Sequence, residues 1–213
     1  MRMQIPNRMV FVAMMAVLAT FAARSPARAG STTMAYEIQI DSTKAGLAQG
    51  SNGLLDIQLN PSTVPSSANV LATVSNVSTD LTLGSPMATG DASGQLQPGT
   101  SDKVTLDNGK SYNDLNQTAI LPAGSYLDVL VAITVTDPTA TGSSGTAFFL
   151  SLYDSNTSDP AANATFTVQA DGSVTQSMTA GVTITSVPEP STLAMLGLGL
   201  SVIAMVGRRR RTA

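Results

Sequence analysis

The sequence predicts an all-β protein folded as an antiparallel β-sandwich. Short apolar runs alternate with period two, turn-forming residues separate these runs, and no long segment has its apolar residues at helical spacing. A parallel sheet would require helical crossovers, which this pattern lacks. About ten short strands at this spacing fit either an immunoglobulin-like sandwich or a jelly roll.

The clearest alternation lies near the start of the exported part of the chain. Tyr36, Ile38 and Ile40 share one face of a predicted strand, and Glu37 and Gln39 point to the other. The same period recurs in three later runs, which begin at Leu55, Val70 and Thr165. Each run is predicted to be a strand with one buried face.

Two runs, residues 127–135 and 147–153, are more uniformly apolar. Such runs are typical of central strands that are covered on both faces. Within the second run, Phe148 and Phe149 are adjacent and must therefore point to opposite faces, which favours core packing over a ligand-stacking pair.

Turn residues place the last strands. Asp171-Gly172 predicts a tight hairpin between residues 165–169 and 173–178. The last predicted strand ends with Thr183 and Ile184.

Residues 1–29 are predicted to be a secretory signal peptide. Two arginines precede an apolar run over residues 9–21, and Ala27 and Ala29 supply the small side chains that signal peptidase selects, so cleavage is expected before Gly30. A membrane anchor is the alternative, but a bilayer needs ~20 apolar residues. The pattern implies export through the Sec translocon.

The exported body, residues 30–186, is strongly acidic. Three lysines stand against thirteen acidic residues, which gives a net charge of −10. Such a body repels nucleic acid, and cations are its expected ionic partners. The chain contains no cysteine, so disulfides and thiolate metal sites are excluded.

A different pattern follows the body, in residues 187–213. Val187-Pro188-Glu189-Pro190 cannot continue a sheet ladder, because its two prolines lack an N–H group. The apolar run 193–206 predicts a helix over residues 191–207, which at ~21 Å is short for a permanent membrane span. A basic tail over residues 208–213 is expected on the cytoplasmic side and begins with Arg208, Arg209, Arg210 and Arg211.

Together, Pro188-Glu189-Pro190, the short apolar helix and the arginine cluster resemble the PEP-CTERM sorting signal of exopolysaccharide-producing bacteria. The resemblance implies that an exosortase, a membrane protease or transpeptidase, recognises these three residues at the inner membrane. It implies further that the body then reaches the cell envelope surface or the extracellular space, with exopolysaccharide as a partner.

The body also resembles a group of PEP-CTERM ectodomains that have no assigned activity. The resemblance lies in the order of five short segments, residues 55–61, 72–76, 90–94, 112–114 and 149–154.

Catalysis is not expected. The chain has neither histidine nor cysteine, so the usual neutral-pH base and the usual nucleophilic dyads are absent. A carboxylate pair of the glycosidase type would need two aspartates at a fixed separation, and the spacing in the sequence identifies no such pair. The sequence therefore predicts no catalytic residue and no resident cofactor.

One loop is a candidate calcium site. Asp154, Asn156 and Asp159 alternate oxygen ligands of the kind that calcium prefers. The loop lacks the glycine and the terminal glutamate of an EF-hand, so a solvated turn is the favoured interpretation.

Two functions are compatible with these patterns. The first is a non-catalytic structural or interaction protein of the cell surface or extracellular matrix. The second is a carbohydrate-binding or calcium-dependent adhesion module, which the scarcity of aromatic residues in the body disfavours.

Overall fold

The computed structural model describes residues 30–188, apart from residues 49, 62–68, 110–111, 137–144, 155–158 and 170. In these residues the chain forms twelve strands and no helix. The strands are β1 Thr32–Asp41, β2 Asn52–Asn60, β3 Asn69–Thr79, β4 Thr82–Thr89, β5 Ala92–Gly94, β6 Val104–Asp107, β7 Asp114–Ile120, β8 Tyr126–Thr136, β9 Thr146–Asp154, β10 Ala162–Val168, β11 Val174–Met178 and β12 Val182–Val187.

The strands form two antiparallel sheets of six. Sheet 1 has the order β12-β1-β8-β3-β6-β5, and sheet 2 has the order β11-β10-β9-β2-β7-β4. Most connections pass from one sheet to the other, and among the described strands only β5–β6, β9–β10 and β10–β11 follow each other within a sheet. This interleaved order is closer to the jelly-roll alternative than to a sandwich of sequential hairpins.

Aromatic contacts show that the sheets pack face to face. The ring of Tyr36 in sheet 1 lies 4.7 Å from the ring of Phe166 in sheet 2, centroid to centroid. Phe148 on β9 packs against the same ring at 5.9 Å. All three side chains are buried, so the predicted β-sandwich is confirmed.

The predicted alternation is confirmed on β1. Tyr36, Ile38 and Ile40 are buried, whereas Glu37 and Gln39 are exposed. The core faces of β2, β3 and β10 follow the same rule and bury Leu55, Ile57, Leu59, Val70, Ala72, Val74, Phe166 and Val168.

The two more uniformly apolar runs form inner strands, as predicted. β8 lies between β1 and β3, and β9 lies between β10 and β2. The expected cover on both faces is wrong for β8, whose side chains alternate between buried and half-buried positions. On β9, Phe148 is buried and Phe149 is half-buried, because adjacent strand residues point to opposite faces.

The predicted hairpin joins β10 to β11. Val168 pairs with Val174, and Gly172 adopts a φ of 82° in the turn. The Asp171 carboxylate accepts a hydrogen bond from the backbone N–H of Ser173 at 2.9 Å and one from its hydroxyl at 2.6 Å. The turn chemistry read from Asp171-Gly172 is therefore present in the structure.

Candidate functional site

The sorting segment leaves the body directly from an edge strand. β12 pairs with β1 from Val182 opposite Ile40 to Val187 opposite Ala35, and Pro188 follows without a spacer. The strand continues three residues beyond the end expected at Ile184. It does so because the added residues, Thr185, Ser186 and Val187, keep their N–H groups, which the prolines that follow lack.

Several predicted functional residues lie outside the described part of the chain. They are Ala27, Ala29, Asn156, Glu189, Pro190, the expected helix 191–207 and Arg208, Arg209, Arg210 and Arg211. Gly30, the expected new N-terminus, is the first described residue. No helix long and apolar enough to cross a membrane occurs among the residues the structure describes.

Of the three calcium candidates, Asp154 and Asp159 lie in the described part of the chain and Asn156 does not. Asp154 closes β9 and is buried, and its Oδ2 accepts a hydrogen bond from the backbone N–H of Ala48 at 3.3 Å. Asp159 is exposed in the loop that follows. Over the described ranges, no cluster of three or more acidic side chains could hold a metal ion.

The structure instead brings together two aspartates that lie far apart in sequence. Asp56 sits in the middle of β2 and Asp114 at the start of β7, and these strands are neighbours in sheet 2. Asp56 lies opposite Asn116 and Asp114 opposite Gln58, so the two carboxyl groups are diagonal neighbours on the outer face of the sheet. We call Asp56 and Asp114 the carboxyl pair.

The carboxyl pair is buried although it faces outward. Asp56 is 5% exposed and Asp114 is 7% exposed. Aspartate is almost never this deeply buried without a partner. The pair is therefore the feature of sheet 2 that most needs a chemical explanation.

One oxygen of each carboxyl group accepts hydrogen bonds from neighbouring side chains. Asp56 Oδ2 accepts a hydrogen bond from Gln58 Nε2 at 2.7 Å. Asp114 Oδ2 accepts one from Asn116 Nδ2 at 2.5 Å and one from the Tyr112 hydroxyl at 3.2 Å. The other oxygen of each, Oδ1, is buried and has no hydrogen-bond donor among the described residues.

The electrostatics of the pair are unusual. Burial, followed by the hydrogen bond and the negative charge of Asp114, raises the pKa of Asp56 to about 7. The same two charges contribute to raising the pKa of Tyr112 and of Tyr153, after the larger effect of burial. A carboxyl group that titrates near neutrality beside a second one is a recurrent feature of functional sites.

The placement of the two carboxyl groups brings them into direct interaction. They are diagonal neighbours on adjacent strands, and Asp114 acts on Asp56 through a hydrogen bond as well as through its charge.

Sequence reasoning placed Asp56 correctly on the face opposite Leu55, Ile57 and Leu59 but missed the pair. The available signal was local: Asp56, Gln58 and Asn60 occupy successive outward positions of one strand. The partner strand begins at Asp114, and no local pattern indicates which strand lies beside β2. The pairing follows from sheet order alone.

A second feature lies at the opposite end of sheet 1 from Pro188. A shallow cleft of about 570 Å³ opens where β1 ends and where β8 and β12 begin. Tyr126, 44% exposed, lines it together with Asp41, Lys44 and Asp128. Lys44 Nζ and Asp41 Oδ2 form an ion pair at 3.0 Å. The cleft offers hydrogen-bonding groups and one accessible aromatic ring.

The class that these features define is a two-sheet, all-β body that runs directly into a proline-containing C-terminal tail. The model of the PEP-CTERM protein-sorting motif matches residues 186–211, beginning inside β12, and this match confirms the predicted sorting signal. The motif implies an exported protein that is anchored transiently in the membrane and processed by an exosortase-type system. Searches of curated proteins and of solved structures found no match.

Proposed function

We propose that this chain is a non-catalytic structural or interaction protein of the bacterial cell surface or extracellular matrix. The observation that carries the proposal is the direct passage from edge strand β12 into the sorting motif at Val187 and Pro188. Because β12 runs into the sorting motif without a spacer, the sandwich is part of the cargo that the motif delivers.

The chemistry of the chain supports a role without turnover. It contains no histidine and no cysteine, which are the usual general base and the usual thiol nucleophile. A net charge of −10 on the body, from three lysines against thirteen acidic residues, suits a protein that stays dispersed and interacts with cations or neutral glycans.

The tail gives the proposed orientation during sorting. Four arginines, Arg208–211, hold the C-terminus on the cytoplasmic side, and the body stands outside the inner membrane. An exosortase then acts on Pro188, Glu189 and Pro190 and releases or transfers the body. The signal peptide over residues 1–29 starts the same route through the Sec translocon and signal peptidase.

Replacing Pro188, Glu189 and Pro190 with alanines tests this proposal. We expect the triple variant to accumulate unprocessed in the membrane fraction, whereas the wild type moves to the surface or the medium. Pro98→Ala, in a loop of the body, is the matched control and should sort normally. Identical processing and location of the triple variant and the wild type would contradict exosortase sorting.

The cleft at Tyr126 supports a second candidate, a carbohydrate-binding module. Sugars bind against exposed aromatic rings with polar side chains around them. Tyr126 is 44% exposed in a cleft that also contains carboxylates. Pro188 leads into the membrane-anchored tail, and the Tyr126 ring lies at the opposite end of sheet 1, away from the membrane in the proposed orientation.

A glycan array with the purified exported protein separates the two candidates. The carbohydrate-binding function predicts saturable binding to one glycan class, lost in Tyr126→Ala and kept in Met87→Ala, which removes an exposed apolar side chain from sheet 2. Arrays with and without calcium test the adhesion variant of this function. Absence of saturable binding in both conditions would leave the structural role as the supported function.

A further inference from the structure

Two negative charges cannot be buried side by side without compensation. The energy of an isolated buried carboxylate is high enough that such a group binds a proton instead. Among the described residues, the ion pair formed by a lysine is Lys44 with Asp41, at the far end of sheet 1, and no cation is paired with either member of the carboxyl pair. Within the described part of the chain, compensation therefore has to come from hydrogen bonds or from a bound proton.

The neighbouring side chains supply hydrogen bonds but no positive charge. Tyr112 lies on the segment before β7 and Tyr153 on β9, and both are affected by the charges of the pair. Both are phenols whose pKa is raised further above its ordinary value, so they are neutral at physiological pH. Gln58 on β2 and Asn116 on β7 are amides. Among the residues that the structure describes, the donors that reach the pair bind Oδ2 and none binds Oδ1.

The two Oδ1 atoms therefore form a matched set. Both are buried, neither has a donor among the described residues, and they belong to carboxyl groups at diagonal positions of two paired strands. A proton bound to one Oδ1 becomes a donor to the other, so a single proton satisfies both atoms. Hydrogen bonds of this O–H···O⁻ type are short and strong.

We propose that Asp56 and Asp114 share one proton taken from solvent, and that the resulting carboxyl–carboxylate hydrogen bond ties β2 to β7 on the outer face of sheet 2. Loss of that proton leaves two adjacent buried charges. Their repulsion acts across the β2–β7 ladder, and β7 carries the edge strand β4. The shared proton thus stabilises the pairing of β2 with β7, and through β7 the position of β4.

Carboxyl-carbon NMR of the wild-type protein, purified after export from cells that express the full chain, tests the proposal without any mutation. Two carboxyl groups that share a proton titrate in two separate macroscopic steps. We expect the Asp56 carboxyl carbon to show a step near neutrality. A titration of this carbon that is complete below pH 5 would overturn the proposal.

Variants give a second, independent readout. An asparagine at either position donates a permanent N–H to the remaining carboxylate and removes the exchangeable proton. We expect the urea midpoint of the wild type to fall between pH 5.5 and pH 8.5, and that of Asp56→Asn to stay nearly constant. Asp114→Asn should behave alike, but the conclusion rests on Asp56→Asn if Asp114→Asn does not fold.

Asp102→Asn is the matched control. Asp102 Oδ2 accepts an amide hydrogen bond from Gln95 at 2.9 Å, much as Asp56 accepts one from Gln58, but it lies in a surface loop. This variant should keep the pH dependence of the wild type. An equal fall in the midpoint of wild type and Asp56→Asn would contradict the shared proton.

Calcium chloride at pH 8.5 separates the shared proton from a cation site. If the pair binds only a proton, calcium should raise the urea midpoint of the wild type no more than it raises that of Asp56→Asn. A calcium-dependent rise of the midpoint in the wild type, absent from Asp56→Asn, would overturn the proposal in favour of a divalent-cation site.

Discussion

Val187 lies opposite Ala35 in the β1–β12 ladder, although it also lies within the sorting motif matched over residues 186–211. The same residue therefore belongs to the folded body and to the signal that an enzyme has to recognise. We expect the last residues of β12 to leave β1 before processing, because an enzyme cleft accepts a single extended segment. Thr185, Ser186 and Val187 are all exposed and contribute little to the core.

A disulfide across this ladder should slow processing. Glu37 lies opposite Thr185 on the exposed face, and the chain has no other cysteine to interfere. We expect the double variant Glu37→Cys with Thr185→Cys to be processed several-fold more slowly when oxidised than when reduced. Pulse-chase labelling with and without reductant measures the effect.

Gln39→Cys with Thr183→Cys is the control for that experiment, because this pair lies on the same face of the ladder but further from Pro188. Its disulfide leaves the end of β12 free, and its processing should match the wild type. Equal rates in the oxidised and reduced Glu37–Thr185 variant would show that β12 is recognised while still paired.

Gly90→Ala should destabilise the body more than Gly99→Ala. Both glycines have positive φ, 75° and 72°, which costs an alanine ~1 kcal/mol or more. At Gly90 an added Cβ would also lie 2.1 Å from the Tyr112 carbonyl oxygen, whereas at Gly99 nothing lies within 4 Å. The clash adds a further ~1–3 kcal/mol. Urea unfolding of the two variants measures the difference, and equal losses would contradict it.

Gln117 is a buried polar side chain whose removal should be costly. It is 2% exposed, its Oε1 accepts the N–H of Leu96 at 2.9 Å, and its Nε2 donates to the carbonyl of Gly84 at 2.9 Å. Gln117→Leu leaves these groups unpaired, at ~1–3 kcal/mol for each buried group. We expect a loss of about 3 kcal/mol in the free energy of unfolding.

Gln97→Leu is the control for this substitution, because Gln97 is exposed in the loop next to Leu96. Its effect should stay within ~0.5 kcal/mol. Similar losses in both variants would mean that the hydrogen bonds of Gln117 contribute little.

The stability of the wild type should fall as the pH rises towards neutrality. The pKa of Asp56 is about 7 in the folded protein and 3.8 ordinarily, so the folded state binds more protons between these values. The contribution of Asp56 is complete below pH 4 and is lost progressively as the pH rises to 7, with ~1.4 kcal/mol per pH unit as the upper bound of the slope. Denaturant unfolding at half-unit pH steps measures this slope.

Two exposed aspartates act in the opposite direction but at lower pH. Hydrogen bonds from Lys44 lower the pKa of Asp41, and those from Ser173 lower the pKa of Asp171. Their contribution is present above the ordinary aspartate pKa and is lost on acidification below it. A stability curve that rises from pH 5 to pH 7 would contradict the role assigned to Asp56.

The sequence was sufficient for features that depend on near neighbours. The alternation at Tyr36, Ile38 and Ile40 predicted a buried face, and Asp171-Gly172 predicted a hairpin, because both depend on residues adjacent in the chain. These are local rules of backbone hydrogen bonding and side-chain direction. The end of the last strand was predicted less well, because it was expected at Ile184 and β12 continues to Val187, directly before Pro188.

Long-range pairing set the features that the sequence could not show. Asp56 and Asp114 lie close together because β7 pairs with β2. Other strands have a similar composition, so the sequence does not show which of them lies beside β2. The prediction that β8 is buried on both faces was wrong, since its outward apolar residues, such as Leu130, are only half-buried. Composition alone does not distinguish a half-buried apolar face from a fully buried one.

The pairing of β1 with β12 also has a kinetic consequence. The first strand of the body finds its outer neighbour in the last strand, so sheet 1 cannot be completed until nearly the whole body has crossed the membrane. Contacts this distant in sequence form slowly. Folding of the body therefore finishes at the residue where the sorting tail starts, and a body truncated before Val182 would present an unpaired β1 edge to any exposed strand nearby.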